Sequence, residues 1–312
     1  MLVKFKTKNR CRLCKHHILK KVLDLPKTVP GEQLKKRKND KNVNLIPIDH
    51  YMCSKCKHVQ LIHVPYFKKL WGKEYTYKPS DNPKLIKHFS DTVSFFKNNF
   101  EKKINFAFEI GSNDGTFLNN FKNSEAEYIG FEPSKNVADV AIKNNIKTQN
   151  SFFNLNNIND LKNFIGKTNV ICASNVICHI PNLKELILTI DKLLDKKGLF
   201  IFEEPYLGSM FEKTSYDQIY DEHIYMFSIN SITKIFKMYN FDLIDVLEQS
   251  THGGSMRYVL SRKGEYPINK KVKEGLIKEQ SYMLDTLESC LQFKKNCEIS
   301  KKKIKEKLLK YM

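Results

Sequence analysis

Four cysteines stand in two tight pairs, Cys11-Arg-Leu-Cys14 and Cys53-Ser-Lys-Cys56. A Cys-x-x-Cys turn places both sulfurs on one side of the backbone, and two such turns complete the tetrahedron of thiolates that a structural zinc ion takes. The lysine-rich stretch Lys35 to Asn44 separates the pairs more widely than in common zinc ribbons. His16, His58 and His63 could replace a ligand, yet four cysteines already fill a closed site. Such a site offers no open position to water or substrate, so it folds a module with little core of its own and catalyses nothing. Unrelated reduced pairs and a redox dithiol are the competing readings.

A second group of residues carries polar chemistry. Glu109-Ile-Gly-Ser-Asn-Asp-Gly115 follows an apolar run and opens a helical pattern at Thr116-Phe-Leu. Its glycines suit a tight strand-to-helix turn that lets a ligand approach the backbone. The spacing differs from the G-x-G-x-x-G of pyrophosphate loops, which weakens a nicotinamide reading. Twenty-one residues after Gly111, Glu132 ends the next apolar run, where an acid can take both hydroxyls of a ribose. Together these point to an adenosine ligand of the S-adenosylmethionine kind, against a structural turn and a solvated acid.

Asn175-Val-Ile-Cys-His179-Ile-Pro lies just past a third apolar run, at the edge where open α/β sheets hold ligands. Taken alone, His179 reads rather as a helix-entry or core histidine, and Cys172 and Cys178 read as packing residues. Tyr216-Asp-Gln-Ile-Tyr220-Asp-Glu222-His223 sets a phenol, carboxylates and an imidazole close together. Imidazole titrates near neutral pH and accepts a proton, and a carboxylate can hold its tautomer or stabilise its cation. Chance clustering in a polar loop is the rival. In His252-Gly-Gly-Ser-Met-Arg257 the glycines suit either a turn or a ligand cradle, and Arg257 could grip a phosphate with two donors.

The elements that must position these groups follow an α/β pattern. Residues 1–70 form a loop-rich zinc-binding module, and residues 71–100 a helical connector. The connector carries Tyr75-Thr-Tyr-Lys-Pro-Ser and then Leu85, Ile86, Phe89, Val93 and Phe96 at helical spacing. Over residues 101–265 the apolar runs Ile104–Ile110, Tyr128–Phe131, Val170–Ala173 and Leu199–Glu203 alternate with amphipathic stretches, as a parallel sheet with helices on both faces requires. Phe241–Leu247 and Met256–Ser261 read as an antiparallel edge pair. Residues 266–312 read as one long, charged, solvated helix; the stripe of Ile304, Leu308 and Leu309 is too thin for a membrane anchor.

The 312 residues are 41% hydrophobic and 28% charged, which excludes collagen-like, mucin-like and wholly disordered classes and suits about two globular domains. Net charge is +19, but only five of the 53 cations are arginine, the residue that reads bases through its planar fork. The charge suits an anionic small substrate equally well. The N-terminus lacks an apolar signal region and no run reaches the roughly 20 apolar residues that span a bilayer. The expected location is therefore cytoplasmic, where closely paired cysteines bind metal rather than each other.

Taken in order, Cys11-x-x-Cys14, Cys53-x-x-Cys56 with Val59-Gln-Leu, Glu109-Ile-Gly-Ser-Asn-Asp-Gly-Thr-Phe-Leu, Phe131-Glu-Pro-Ser, Asn175-Val-x-x-His179-Ile-Pro, Glu204-Pro-Tyr, Tyr220-x-Glu-His223 and His252-Gly-Gly-Ser-x-Arg257 resemble the sugar C-methyltransferase family. Its members act on nucleotide-linked keto-deoxysugars with S-adenosylmethionine. The resemblance implies a zinc module before a Rossmann-like methyltransferase sheet. It implies Tyr77, His179, Tyr220, Glu222 and His223 as the catalytic set. Glu109, Gly111, Ser112, Asn113, Gly115, Glu132, Pro133, Phe153 and Asn175 are expected to bind cofactor, and His252, Ser255 and Arg257 substrate. In the implied reaction His223 removes a proton alpha to the keto group, assisted by Tyr220 and Glu222, while His179 and Tyr77 donate to the enolate oxygen.

Two departures stand out. Asp221 occupies a position where the family usually carries another histidine. The chain also stops at Met312, within the helix that leads into the family's C-terminal domain, so that domain is expected to be absent. A truncated product, a separate chain that supplies the domain, or a different acceptor would follow. N- or O-methylation of a glycan sugar is the nearest alternative chemistry. A zinc-ribbon RNA methyltransferase or RNA-binding protein, and an inactive remnant, are alternatives of other kinds.

Overall fold

A computed structural model describes residues 5–31, 45–65, 75–99 and 104–311. The insert expected at Lys35 to Asn44 lies outside the described residues. The N-terminal sequence offers no sustained helical period and folds as short strands: β1 (Phe5–Thr7), β2 (Leu19–Leu23), β3 (His50–Cys53), β4 (Val59–Leu61) and β5 (His63–Pro65). β1 pairs with β5, while β2, β3 and β4 form an antiparallel sheet.

Strands covered on both faces need apolar residues at nearly every position, and the apolar runs become the central sheet. The strands β6 (Phe106–Ile110), β7 (Glu127–Phe131), β8 (Thr148–Gln149), β9 (Thr168–Ser174) and β10 (Leu194–Pro205) run parallel. After the short β11 (Tyr225–Met226), β12 (Phe241–Gln249) and β13 (Ser255–Arg262) add the expected antiparallel pair, giving the order β12-β13-β10-β9-β6-β7-β8. The chain leaves β6 toward β7 on one side and returns through β9 on the other. The resulting switch point, at the carboxyl ends of β6 and β9, is where open α/β sheets bind ligands.

The helices are α1 (Pro83–Asn99), α2 (Lys135–Lys143), α3 (Leu183–Leu193), α4 (Leu207–Lys213), α5 (Ile229–Lys237), α6 (Lys270–Ser281) and α7 (Leu287–Leu309). Phe89, Val93 and Phe96 of α1 bury against one sheet face with Phe117 and Ile201, whereas Ile86 is exposed. Leu186 and Ile190 of α3 and Ile232 and Phe236 of α5 cover the other with Phe200 and Phe202. The architecture is thus the expected Rossmann-like sheet with helices on both faces.

The single solvated C-terminal helix does not form. Met283 adopts φ +50, which breaks the pattern, and Thr286 then caps α7 by accepting the Ser289 N–H. Cys290, Phe293 and Cys297 of α7 are buried in a third core with Val22 of β2, Met52 of β3 and Met210 of α4. Phe293 stacks on Phe211 with centroids 4.6 Å apart. The later part of α7, with Ile304, Leu308 and Leu309, is exposed on every face. Among the described residues no helix is long and apolar enough to cross a membrane.

β11 does not join the central sheet. It pairs with β4, matching Tyr225 with Gln60 and Met226 with Val59, and Ile224 O accepts the Leu61 N–H at 2.8 Å. The segment directly after His223 is therefore a strand of the N-terminal module.

Candidate active site

At the switch point the chain leaves β6 through Gly111, whose φ is +70. A Cβ there would lie 2.4 Å from Val176 Cγ2, so a glycine lets the loop after β9 pack against the loop after β6. Glu132, directly after β7, accepts the N–H groups of Asn113 at 3.0 Å and Ser134 at 2.7 Å, one on each carboxylate oxygen. Each oxygen retains accepting capacity for a ligand hydroxyl. These loops wall one half of a cavity of about 420 Å³ that Glu109, Gly111, Ser112, Asn113, Glu132, Pro133 and Asn175 line.

Glu109 Oε2, Ser112 Oγ and Asn175 Oδ1 are buried there without a hydrogen-bond partner among the described residues. Burial, followed by the neighbouring Asp114 and Glu132 carboxylates, pushes the Glu109 carboxyl well above its ordinary range. Burial raises Glu132 as well, against the hydrogen bonds from Ser134 and Asn113 that lower it. Orphaned acceptors beside crowded carboxylates fit a cationic, hydroxyl-bearing ligand. Gly115 and Phe153 do not reach this wall. Gly115, at φ +82, packs against Ala141 and Ile146, and Phe153 meets Phe131 edge-on at 5.1 Å.

The other half of the cavity gathers Tyr77, His179, Tyr220, Glu222, His223 and His252. A one-turn 3-10 helix, Ile177–His179, and the loop before β11 bring the His179 and His223 rings to a centroid distance of 5.0 Å, nearly perpendicular. His223 Nδ1 lies 2.7 Å from Gln218 O, and its Nε2 lies 2.7 Å from Tyr220 Oη. A carbonyl can only accept, so this network assigns the proton to Nδ1 and leaves Nε2 as the basic nitrogen, facing a phenol that donates to it. Burial lowers His179 to about 4. Burial, then the His179 charge, drives His223 well below its usual value. Both imidazoles are consequently neutral at pH 7.

Glu222 lies beside His179 rather than pairing with its chain neighbour, with Oε2 3.7 Å from Nδ1. Tyr77 is half-exposed on a strap fastened to the Glu132 half of the cavity. Its carbonyl accepts from Asn113 Nδ2 at 3.1 Å, and Asn136 exchanges two hydrogen bonds with the Tyr75 backbone. Asp221, buried, uses Oδ1 to accept the Gly31 N–H at 3.0 Å.

Arg257 and Ser255 do not reach the cavity wall. Arg257 is buried beneath it, 3.0 Å from Glu203 and 2.6 Å from Thr92 Oγ1, so its guanidinium is committed to the core and does not present the expected phosphate grip. Glu203 also meets His88 Nε2 at 2.9 Å and accepts from Thr251 Oγ1 at 2.7 Å. Ser255 Oγ donates to Thr251 O on the buried strand β13. Conversely, Tyr75, Gln218 and Gly31 line the cavity although none was expected among the site residues. Tyr75, two residues before Tyr77, was accessible from its spacing; Gly31, on the far side of the lysine-rich insert, carried no signal. Burial pushes the Cys172 and Cys178 thiols well above their ordinary value, in keeping with packing roles.

In the N-terminal module the sulfurs of Cys11, Cys14, Cys53 and Cys56 all lie within 4.8 Å of one another. Cys11 and Cys56 are 3.6 Å apart, and Cys14 and Cys53 3.5 Å. Four thiolates about 2.3 Å from one zinc ion would stand roughly 3.8 Å apart, so the cluster fits that metal without rearrangement.

A methyltransferase-domain model matches residues 85–246, a candidate zinc-binding-domain model residues 11–70, and a C-methyltransferase C-terminal-domain model residues 250–312. The last match overturns the expectation that the C-terminal domain is lacking: β13, α6 and α7 lie inside it. The chain is similar to the C-methyltransferase NovU of Streptomyces niveus, with 26% identity over 276 residues. The match takes in 88% of this chain and 66% of that protein, just under two thirds of the relative's length. Solved structures with similarity include an S-adenosylmethionine-dependent methyltransferase from Clostridium acetobutylicum (13% identity, 57% of this chain and 92% of that one, TM-score 0.46). Another is a SAM-dependent methyltransferase from Aquifex aeolicus (11% identity, 59% and 98%, TM-score 0.46). The methyltransferase-domain match spans more than half the sequence and contains the Gly111 loop, Glu132 and the His179 turn at one sheet edge, and the chain belongs to that methyltransferase-domain family.

Proposed function

We propose that the protein transfers a methyl group from S-adenosylmethionine to a carbon atom of a nucleotide-linked keto-deoxysugar. The observation that carries this reading is the two-sided cavity, with buried carboxylates on one wall and a neutral imidazole–phenol group on the other. Glu132 would hold the ribose hydroxyls, and Glu109, Ser112 and Asn175 the remaining polar groups of the cofactor. When bound, the cofactor supplies an electrophilic methyl group on a positively charged sulfur. The acidic wall favours such a cation in a low-dielectric setting.

His223 Nε2 takes up the proton of the sugar carbon alpha to the ketone by way of Tyr220, whose hydroxyl passes its own proton to Nε2 as it removes the carbon-bound one. A base of depressed pKa has little driving force of its own, so the enolate must be stabilised where it forms. His179 and Tyr77 donate to the enolate oxygen, a preorganised contribution of several kcal/mol, and Glu222 lies beside His179, where it can orient that ring. His252 lines the same wall and would contact the sugar nucleotide. Cys11, Cys14, Cys53 and Cys56 would hold a structural zinc ion. The name of the NovU relative supports carbon as the acceptor atom.

Transfer of a labelled methyl group to a panel of nucleotide-linked keto and amino sugars, with RNA as a control acceptor, tests the reading. Label on carbon of a keto sugar is expected. Label only on nitrogen or oxygen, or on RNA, would overturn it. For the cofactor half, Glu132→Ala is expected to raise the Kd for S-adenosylhomocysteine about 10- to 100-fold by calorimetry, the loss of hydrogen bonds to a charged acceptor. An unchanged Kd would remove Glu132 from the cofactor site.

A further inference from the structure

Glu204, on β10, is fully buried and accepts three consecutive backbone N–H groups on a single oxygen. Oε1 lies 2.9 Å from Val176 N, 2.6 Å from Ile177 N and 3.3 Å from Cys178 N. These donors open the one-turn helix that ends at His179. The preceding residue is fixed from the same strand, because Asn175, held at φ +54, donates its N–H to Glu203 O at 2.8 Å. The far side of the turn holds the second histidine: Ile224, directly after His223, donates its N–H to Cys178 O at 3.0 Å. One turn therefore carries His179 on its own backbone and docks the His223 segment on its last carbonyl.

We propose that Glu204 is a positioning residue that sets the spacing of His179 and His223 through this turn. The inference rests on the reading of those histidines as enolate donor and base. Three N–H groups that converge on one buried oxygen need an acceptor there, since a buried donor left without one is costly and the turn would otherwise relax. Glutamine keeps an acceptor oxygen at the same reach, whereas aspartate withdraws it by one methylene.

The test combines kinetics with a readout that needs no substrate. In protein labelled with 15N-histidine, His179→Gln and His223→Gln assign the two rings. Glu204→Ala and Glu204→Asp are expected to shift the His179 ring signals, and Glu204→Gln to leave them in place. A displacement near 1 Å in a reacting group can cost about 10²-fold in rate, so kcat should fall about 30-fold or more in Glu204→Ala and about 10-fold in Glu204→Asp. Glu204→Gln should restore kcat to within about threefold, and the Kd for S-adenosylhomocysteine should stay within about twofold in all three. Unshifted His179 signals in Glu204→Asp, or a Glu204→Gln protein as impaired as Glu204→Ala, would overturn the proposal. Loss of cofactor affinity in step with kcat would also overturn it. Ring signals that move as expected in a protein whose parent methylates no sugar would support the positioning role and sink the proposed reaction, so the two failures separate.

Discussion

His223→Ala lowers kcat by about 10²-fold or more while the Kd for S-adenosylhomocysteine stays within about twofold. The separation follows from where the groups sit. The wall proposed for the cofactor is built from the loops after β6, β7 and β9, whereas His223 comes from the loop before β11, on the opposite side of the cavity. His223 is 4% exposed and Nδ1 is committed to Gln218 O, so its removal deletes the basic nitrogen and leaves the sheet intact. Loss of cofactor binding equal to the loss of turnover would reject the proposed role, because a group that takes a proton from the methyl acceptor makes no ribose or methionine contacts.

The pH profile of the unmodified protein carries the same argument. A base works only when neutral, and burial together with the His179 charge holds the folded pKa of His223 below the ordinary value near 6.5. The acid limb of kcat/KM therefore lies below about pH 6.5, and the rate stays level from about pH 8 down to that point. Stability follows in the same direction. His179 and His50 sit at about 4 in the folded protein, both through burial, so the unfolded chain binds these protons first as pH falls through about 6.5. Stability is indifferent to these two groups above that pH and declines progressively toward pH 4. An acid limb centred above pH 7 would show that the base is solvated in the working enzyme and would contradict the buried geometry.

Glu109, Glu132, His179 and the residues of Tyr220 to His223 were legible because each stands at the end of an apolar run or within a dense polar motif, and the sheet topology brings such ends to one edge. The paired-strand edge and the α1 stripe were readable from period alone. Arg257 was misread for a physical reason: the sequence shows a cation beside a glycine turn, but only the fold reveals that Glu203, from the adjacent strand, meets it first. Glu222 was read with its chain neighbour His223, and the loop instead turns it toward His179. The C-terminal residues looked solvated because their lysines dominate; Cys290, Phe293 and Cys297 recur at helical spacing, and their partners lie in β2, β3 and α4, far away in sequence. Gly31 could not have been found, since its place is set by one hydrogen bond across the interface to Asp221.

That interface gives the second large effect. Cys53→Ala is expected to abolish zinc retention and to lower kcat by about 10²-fold or more, while cofactor affinity falls no more than about threefold. A structural zinc ion contributes on the order of 10–16 kcal/mol of apparent binding free energy to the fold of a small module, more than the short strands β1 to β5 can replace with their own core. The consequence reaches the base through a short, continuous path. Gln60 donates to Cys11 Sγ at 3.3 Å and accepts from Arg12 N at 2.9 Å, fixing β4 to the cysteine cluster. β4 in turn pairs with β11, which begins two residues after His223. His58, buried, packs its ring against Tyr225 and Phe227 on the same side. Loss of the metal should therefore free residues 218–226 while the loops of β6 and β7 stay ordered. Metal analysis and hydrogen exchange would read the two regions separately. Wild-type protection over 218–226 in a zinc-free protein would sever the link between metal and base, and loss of protection in β6 and β7 at the same time would mean that the module and the sheet unfold as one unit.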